Sequence, residues 1–243
     1  MIDGSGRSEG EYLHALAREL WPIPRSITGE GVRQTLKRLA QELPGLTIHE
    51  VPSGAQVLDW VVPEEWVIRS AVLSDPNGEI VADFDVNNLH LMGYSEPVDL
   101  EIFLEDLQPH LYSIPEQPNA IPYVTSYYNR RWGFCITQED RDQLIPGKYR
   151  AFIDSEFVAG SMSYGELVIP GESADEVFIS TYVCHPSLAN NELSGPMVST
   201  GLAQWLLALP KRHYTYRFVF VPETIGAITY IHYNLERLKA SVS

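Results

Sequence analysis

Two apolar runs, 177–183 and 216–221, enclose a polar loop and an amphipathic segment, and this order constrains the fold more than any other feature of the chain. The runs are rich in β-branched and aromatic residues, as buried strands are, and the segment between them has helical spacing. A strand–loop–helix–strand unit implies a parallel sheet, since parallel neighbours need a crossover of this length. In such sheets chemistry collects in the loops beyond the carboxyl ends of the strands. His185 stands just past the first run and Glu223 just past the second. A metal-ligand type and a general-base type therefore arrive at one edge of one sheet.

Upstream, residues 11–21 place Leu13, Leu16, Ala17 and Leu20 on one helical face, and Pro22 and Pro24 stop that helix. The segment Arg25-Ser26-Ile27-Thr28-Gly29 leads into a second helix with a Val32, Leu36, Leu39 and Leu43 stripe. It reads as a helix N-cap loop, with a ligand-binding loop as the other reading. A short strand is expected over 46–51. From 52 to about 160 the character changes to short alternating runs separated by turn signals such as Asp75-Pro76-Asn77-Gly78. Strands are expected over 66–73, 79–84, 89–94, 98–103, 133–137 and 148–157, with short helices at 104–111 and 139–144. The fold class is therefore α/β: a partial parallel-sheet domain formed by 1–52 and 161–243, with an inserted all-β domain at 53–160. The helix after Gly195 carries Val198, Leu202, Leu206 and Leu209 on one face, and a last helix spans 225–238.

Composition narrows the partners. The formal net charge of -15 excludes the basic footprint that a phosphate backbone needs, so no nucleic-acid partner is expected, and no polybasic membrane anchor. No apolar run reaches the length of a membrane span, and the first residues lack a signal-peptide pattern. Two distant cysteines make no disulfide framework, so a cytoplasmic location is the default. Cys184 beside His185 reads as a small buried residue. Its use as a nucleophile is disfavoured, because neighbours at a strand end point to opposite sides.

At the site itself, His185 offers an imidazole ligand, Glu192 an oxygen ligand and Asn191 an amide carbonyl, while Glu223 is a general base for a metal-bound water. The competing reading is a structural His with a helix-capping Asn-Asn-Glu loop. A second cluster, 121–135, mixes Tyr123, Tyr127, Tyr128, Arg130 and Trp132. Aromatics beside Arg suit carbohydrate or peptide ends, and they suit internal packing equally well.

The stretches His185-Pro-Ser-Leu-Ala-Asn-Asn191-Glu-Leu-Ser-Gly195 and Phe218-Val-Phe-Val-Pro-Glu223-Thr-Ile-Gly226 resemble the two core motifs of zinc aminopeptidases related to bacterial leucyl aminopeptidases. More closely, the chain resembles bacterial aminopeptidase-like proteins with an inserted β domain, often associated with polysaccharide biosynthesis. Further matching segments include Leu20-Trp-Pro-Ile-Pro-Arg-Ser-Ile-Thr-Gly-Glu-Gly-Val-Arg33 and Tyr164-Gly-Glu-Leu-Val-Ile-Pro-Gly171, so nearly the whole chain is covered. The resemblance implies a zinc-exopeptidase-like fold and an aminopeptidase-type metallohydrolase acting on a peptide or an acylated amino-sugar. It also exposes departures. Asn191 stands where such enzymes carry a bridging Asp, and Thr224 where they carry a ligand Glu, so one zinc ion is expected rather than two. Later Asp and His ligands and the rest of the sheet are not found, which implies a chain shortened at its C-terminus. An incomplete sheet offers an open edge for a homo-oligomer. The rival expectation is a binding or assembly module that kept the fold and lost the chemistry.

Overall fold

The computed structural model describes residues 8–127 and 129–242, which leaves Tyr128 and the first seven residues outside the described part. Two compact units result: Met1–Glu65 with Ala159–Ser243, and Trp66–Val158. Residues 53–65, which the sequence reading assigned to the insertion, belong to the first unit, where the short strands Gln56–Val57 and Trp60–Val61 pair with each other.

The first unit is built on a four-stranded sheet in the order Thr47–Pro52, Ser161–Ile169, Thr215–Val221, Glu176–Tyr182. Only the last two strands are parallel; Ser161–Ile169 runs antiparallel to both of its neighbours. The sheet is thus mixed, which corrects the expectation of a parallel one. The chain returns from the second unit directly into Ser161–Ile169, beside the strand that will become central, with no crossover helix to reverse it.

Helices Glu9–Leu20, Glu30–Glu42 and Ser194–Ala208 pack with the sheet in one core. Leu16, Leu20, Leu36, Leu39 and Leu43 meet Leu167, Val183, Phe218 and Phe220 there, all nearly inaccessible. Each fully buried side chain of this size contributes about 1.5–3 kcal/mol. The first helix starts earlier than its apolar face suggests, because Ser8 and Glu11 form a capping box. Of the apolar stripe expected at Val198, Leu202, Leu206 and Leu209, the first two are exposed, while Leu206 is in the core and Leu209 packs against it. Met197, Thr200, Gly201 and Ala203 are buried beside Leu206. Small residues decide this contact: a Cβ on Gly201 would stand 2.9 Å from Leu13 Cδ1, so the helices approach where side chains are absent.

Helix Ile225–Ser241 is tied to the sheet by charge. Arg217 donates to both oxygens of Glu176 at 2.7 and 2.6 Å and to Glu166 at 2.9 Å. Arg237 from the helix stands 3.4 Å from Glu176, and the Tyr230 hydroxyl donates to Glu166.

The second unit holds a four-stranded sheet in the order Ile80–Asp83, Glu65–Ser74, Lys148–Val158, Val98–Phe103. Short helices at Leu104–Leu107 and Gln138–Asp142 make it β-rich rather than all-β. The strand expected over 89–94 is not formed; Asn87 accepts from the Leu89 amide and caps a 3-10 turn at Asn88–His90. No helix of the described residues is long and apolar enough to cross a membrane.

Candidate functional site

The site grows from the ends of the two parallel strands. Beyond Glu176–Tyr182, pairing continues for one residue, with Val183 N–H donating to Val221 carbonyl at 2.9 Å. Cys184 and His185 follow, both buried. The chain then turns sharply at Ser187, whose φ is 33° and whose hydroxyl donates to the Trp21 carbonyl at 3.0 Å. A wide turn of π type at Ala189–Leu193 swings Glu192 back beneath His185.

Glu192 is fully buried, with one oxygen 3.0 Å from His185 Nδ1 and the other accepting from the Cys184 amide. Both oxygens are thereby engaged inside the fold, so Glu192, expected as an oxygen ligand, stands against the imidazole of His185 and the Cys184 amide. The tight return of the π-type turn is the reason: it aims the side chain at the strand end rather than at solvent. Nε2 faces the other side, where Glu223 Oε2 lies 3.2 Å away. Glu223 is half exposed, at 51%, against 7% for His185. Asn191 is exposed.

Backbone strain sits beside Glu223. Thr224 has φ 55° and ψ -73°, and the Ile225 amide donates to the Glu223 carbonyl at 2.6 Å. This is a γ-turn of the rare positive-φ kind, which costs about 1–3 kcal/mol in a β-branched residue. Glycine reaches such angles freely at an entropic cost of about 0.5–1 kcal/mol. Thr224→Gly is therefore expected to raise the thermal midpoint by a few degrees, roughly 2–4 °C per kcal/mol. A lower midpoint in thermal unfolding would show that the turn is not strained.

Beneath the site lies Arg25, 2% exposed. Its Nε donates to the His185 carbonyl at 2.9 Å and stands 3.7 Å from Glu192 Oε1; one terminal nitrogen donates to the Leu20 carbonyl at 2.7 Å. Burial lowers its pKa to about 10, which leaves it a cation at neutral pH. The residues around it are not a side-chain N-cap loop. Gly29 occupies the cap with φ 142° and no side-chain bond, while Arg25, Ser26, Ile27 and Thr28 are buried. Sequence reasoning missed Arg25 as a site residue; the signal was an Arg among small polar residues directly after a proline-stopped helix.

Cys184 Sγ lies 3.2 Å from His185 Nδ1, so these neighbours do touch, contrary to the expectation from strand alternation. The chain has already left the strand at this point, and alternation no longer holds. Burial nevertheless pushes the thiol well above its usual range, and its sulfur accepts from the Glu223 amide at 3.1 Å, so it is a structural acceptor and not an activated nucleophile. Cys184, His185 and Glu192 group their ligand atoms within 4.8 Å. The Arg25 cation beside Glu192 opposes a second cation on that inner side. On the outer side, His185 Nε2 and Glu223 could hold a cation, since an imidazole whose far nitrogen meets a carboxylate is the usual donor arrangement of a metal-binding His.

Of the second cluster, Tyr123, Tyr127, Arg130 and Trp132 lie in the second unit and are engaged there, while Tyr128 lies outside the described residues. Trp132 stacks on His110 with centroids 3.7 Å apart, and Arg130 lies 3.5 Å over the Phe157 ring. Tyr123 and Tyr127 share a hydroxyl contact at 2.7 Å.

Comparison with known proteins fits this architecture. The family described as a domain of unknown function (DUF4910) matches residues 14–243. A Clostridium acetobutylicum protein, provisionally named a polysaccharide biosynthesis protein with an aminopeptidase-like domain, is 47% identical over 238 residues, covering 98% of this chain and 54% of its own length. A solved structure provisionally described as a peptidase of the same organism superposes with a TM-score of 0.92 at 47% identity, over 96% of this chain and 55% of that one. The chain thus spans about half the length of the relatives it matches most fully. The M28 peptidase precursor of Shewanella amazonensis gives a TM-score of 0.60 at 13% identity, over 97% and 73% of the two chains. BSAP, a zinc aminopeptidase from Bacillus subtilis, gives 0.58 at 14%, over 95% and 66%. At such identities these last two show the fold alone.

Proposed function

Because this chain belongs to the family described as a domain of unknown function, DUF4910, and has the fold of M28 peptidases, we propose that it carries the nucleophile-activating half of a metal-dependent amide hydrolase. One observation supports this above all. Glu192 holds His185 by Nδ1 while Nε2 faces the half-exposed Glu223. His185 is the zinc ligand, Glu192 its orienting partner and Glu223 the base, with Asn191 as an auxiliary oxygen donor. Zinc bound here supplies Lewis acidity to water and to the scissile carbonyl. Glu223 takes the water's proton and passes it to the leaving amine, a role that suits a carboxylate open to solvent on one side. On this reading His185 and Asn191 are fewer than the three protein ligands usual for catalytic zinc, so they form part of the ligand set. The names of its relatives favour an aminoacyl or acylated amino-sugar amide as substrate.

A second reading, a binding module that kept the fold, draws support from Asn191 and Thr224 at positions where metal-binding carboxylates are expected. Elemental analysis separates the two. The hydrolase reading expects about one zinc per chain in the native protein, lost in His185→Ala. Glu223→Gln should keep the metal and lower hydrolysis of such amides by about 100- to 10,000-fold. Native protein without zinc after incubation with the metal would favour the binding module.

A further inference from the structure

Where the parallel ladder between Glu176–Tyr182 and Thr215–Val221 runs out, its last amide changes acceptor. Val183 N–H donates to the Val221 carbonyl at 2.9 Å, and in a parallel pair the next bond would run from the Glu223 amide to the Val183 carbonyl. Pro222 between them has no N–H to offer. The Glu223 amide donates instead to Cys184 Sγ, at 3.1 Å. A thiol sulfur is a weak acceptor, but this one is fully buried, where water does not reach it. Cys184 is fixed in turn, since its own amide donates to the buried Glu192.

Glu223 lies in the short link between that strand and the helix Ile225–Ser241. The Ile225 amide closes the link onto the Glu223 carbonyl at 2.6 Å. Gly226 lets the helix begin against Pro222, where a Cβ would stand 2.5 Å from Pro222 Cδ. The Glu223 carbonyl is thus tied to the helix and its N–H to the sulfur. Between these two bonds the carboxylate, though half exposed, stands 3.2 Å from His185 Nε2.

We infer that Cys184 is a positioning residue: its sulfur ties the Glu223 main chain to the strand end that carries His185, and so holds the Glu223 carboxylate beside the imidazole. It acts through Glu223 and takes no part in bond making. The worth of that placement for catalysis rests on the function proposed above; the tether itself does not.

The test is amide hydrogen exchange by NMR on metal-free protein. The ratio of the Glu223 rate to the Val183 rate is read, so that a loss of global stability does not imitate the effect. In Cys184→Ala the ratio should rise by roughly 3- to 10-fold, the worth of one hydrogen bond. Cys184→Ser, whose hydroxyl also accepts, should restore most of the protection. Cys184→Val removes the acceptor while filling the space, and covers the case in which Cys184→Ala does not fold. An unchanged ratio in the variants without an acceptor would overturn the inference, and so would a rise in Cys184→Ser equal to theirs. With zinc added and an aminoacyl anilide as substrate, Cys184→Ala should lose about 10- to 100-fold in kcat, with KM and metal content near native. Native turnover that Cys184→Ala leaves unchanged would also overturn the positioning role. If the native chain neither takes zinc nor hydrolyses the anilide, but the ratio still answers to the acceptor, the hydrolase reading falls and the tether stands.

Discussion

Glu192→Ala should lose about 3–5 kcal/mol of stability, the cost of leaving one member of a buried ion pair alone. Glu192 and Arg25 both have side-chain exposures of 0%, so water cannot replace the missing carboxylate. The same substitution strips the Cys184 amide of its acceptor and His185 Nδ1 of its partner. An orphaned buried donor adds about 1–3 kcal/mol where the structure cannot relax around it. The neighbour offers the control. Asn191 is exposed, and Asn191→Ala should stay within about 0.5 kcal/mol of the native chain. Urea unfolding of the two variants side by side measures the difference. Equal midpoints would mean that Glu192 is not the buried anchor of this loop.

That contrast also marks what could be read from the sequence. His185 and Glu223 were legible because a strand end is a local signal, and two strand ends in one parallel pair must lie close together. The role of Glu192 was not legible. Its direction depends on the π-type turn at Ala189–Leu193, where one extra residue per turn points a side chain inward that ordinary helical spacing would leave outside. The contact between Cys184 and His185 was missed for a related reason, since alternation was extended past the end of the strand. Arg25 escaped notice because its partners lie 160 residues away at His185 and five residues back at Leu20. At the level of the fold, strand Ser161–Ile169 went unread although its opening Ser-Met-Ser-Tyr alternates, because Gly165 and Glu166 interrupt the pattern before Leu167-Val168-Ile169. Its place comes from pairing with Thr47–Pro52 and Thr215–Val221, both distant in the chain. The helix Ser194–Ala208 misled in the opposite sense, since large apolar residues set its periodicity while small ones set its contact.

The other large effect expected lies away from the site, at Arg217. Arg217 and Glu176 are 7% and 6% exposed and meet in a two-pronged contact across the parallel strand pair, with Glu166 on the neighbouring strand. Arg217→Ala leaves these carboxylates facing one another with Arg237 nearby and His49 3.8 Å from Glu166, and about 3–5 kcal/mol should be lost at pH 7. The pH dependence separates charge from packing. The hydrogen bonds from Arg217 hold the Glu176 carboxyl below its usual value, as those from Arg33 do for Glu65. A depressed folded-state pKa means that the unfolded chain binds protons first as pH falls. The stabilisation is fully present above the unfolded value, about 4.3, and drains away as pH drops through the lower folded values. Native protein should therefore weaken steadily below about pH 5, whereas Arg217→Ala has already lost the share that belongs to Glu176. The gap between their urea midpoints should narrow from pH 7 to about pH 3. A gap that stays constant across that range would mean that Arg217 stabilises the sheet through its buried aliphatic stem and not through its charge.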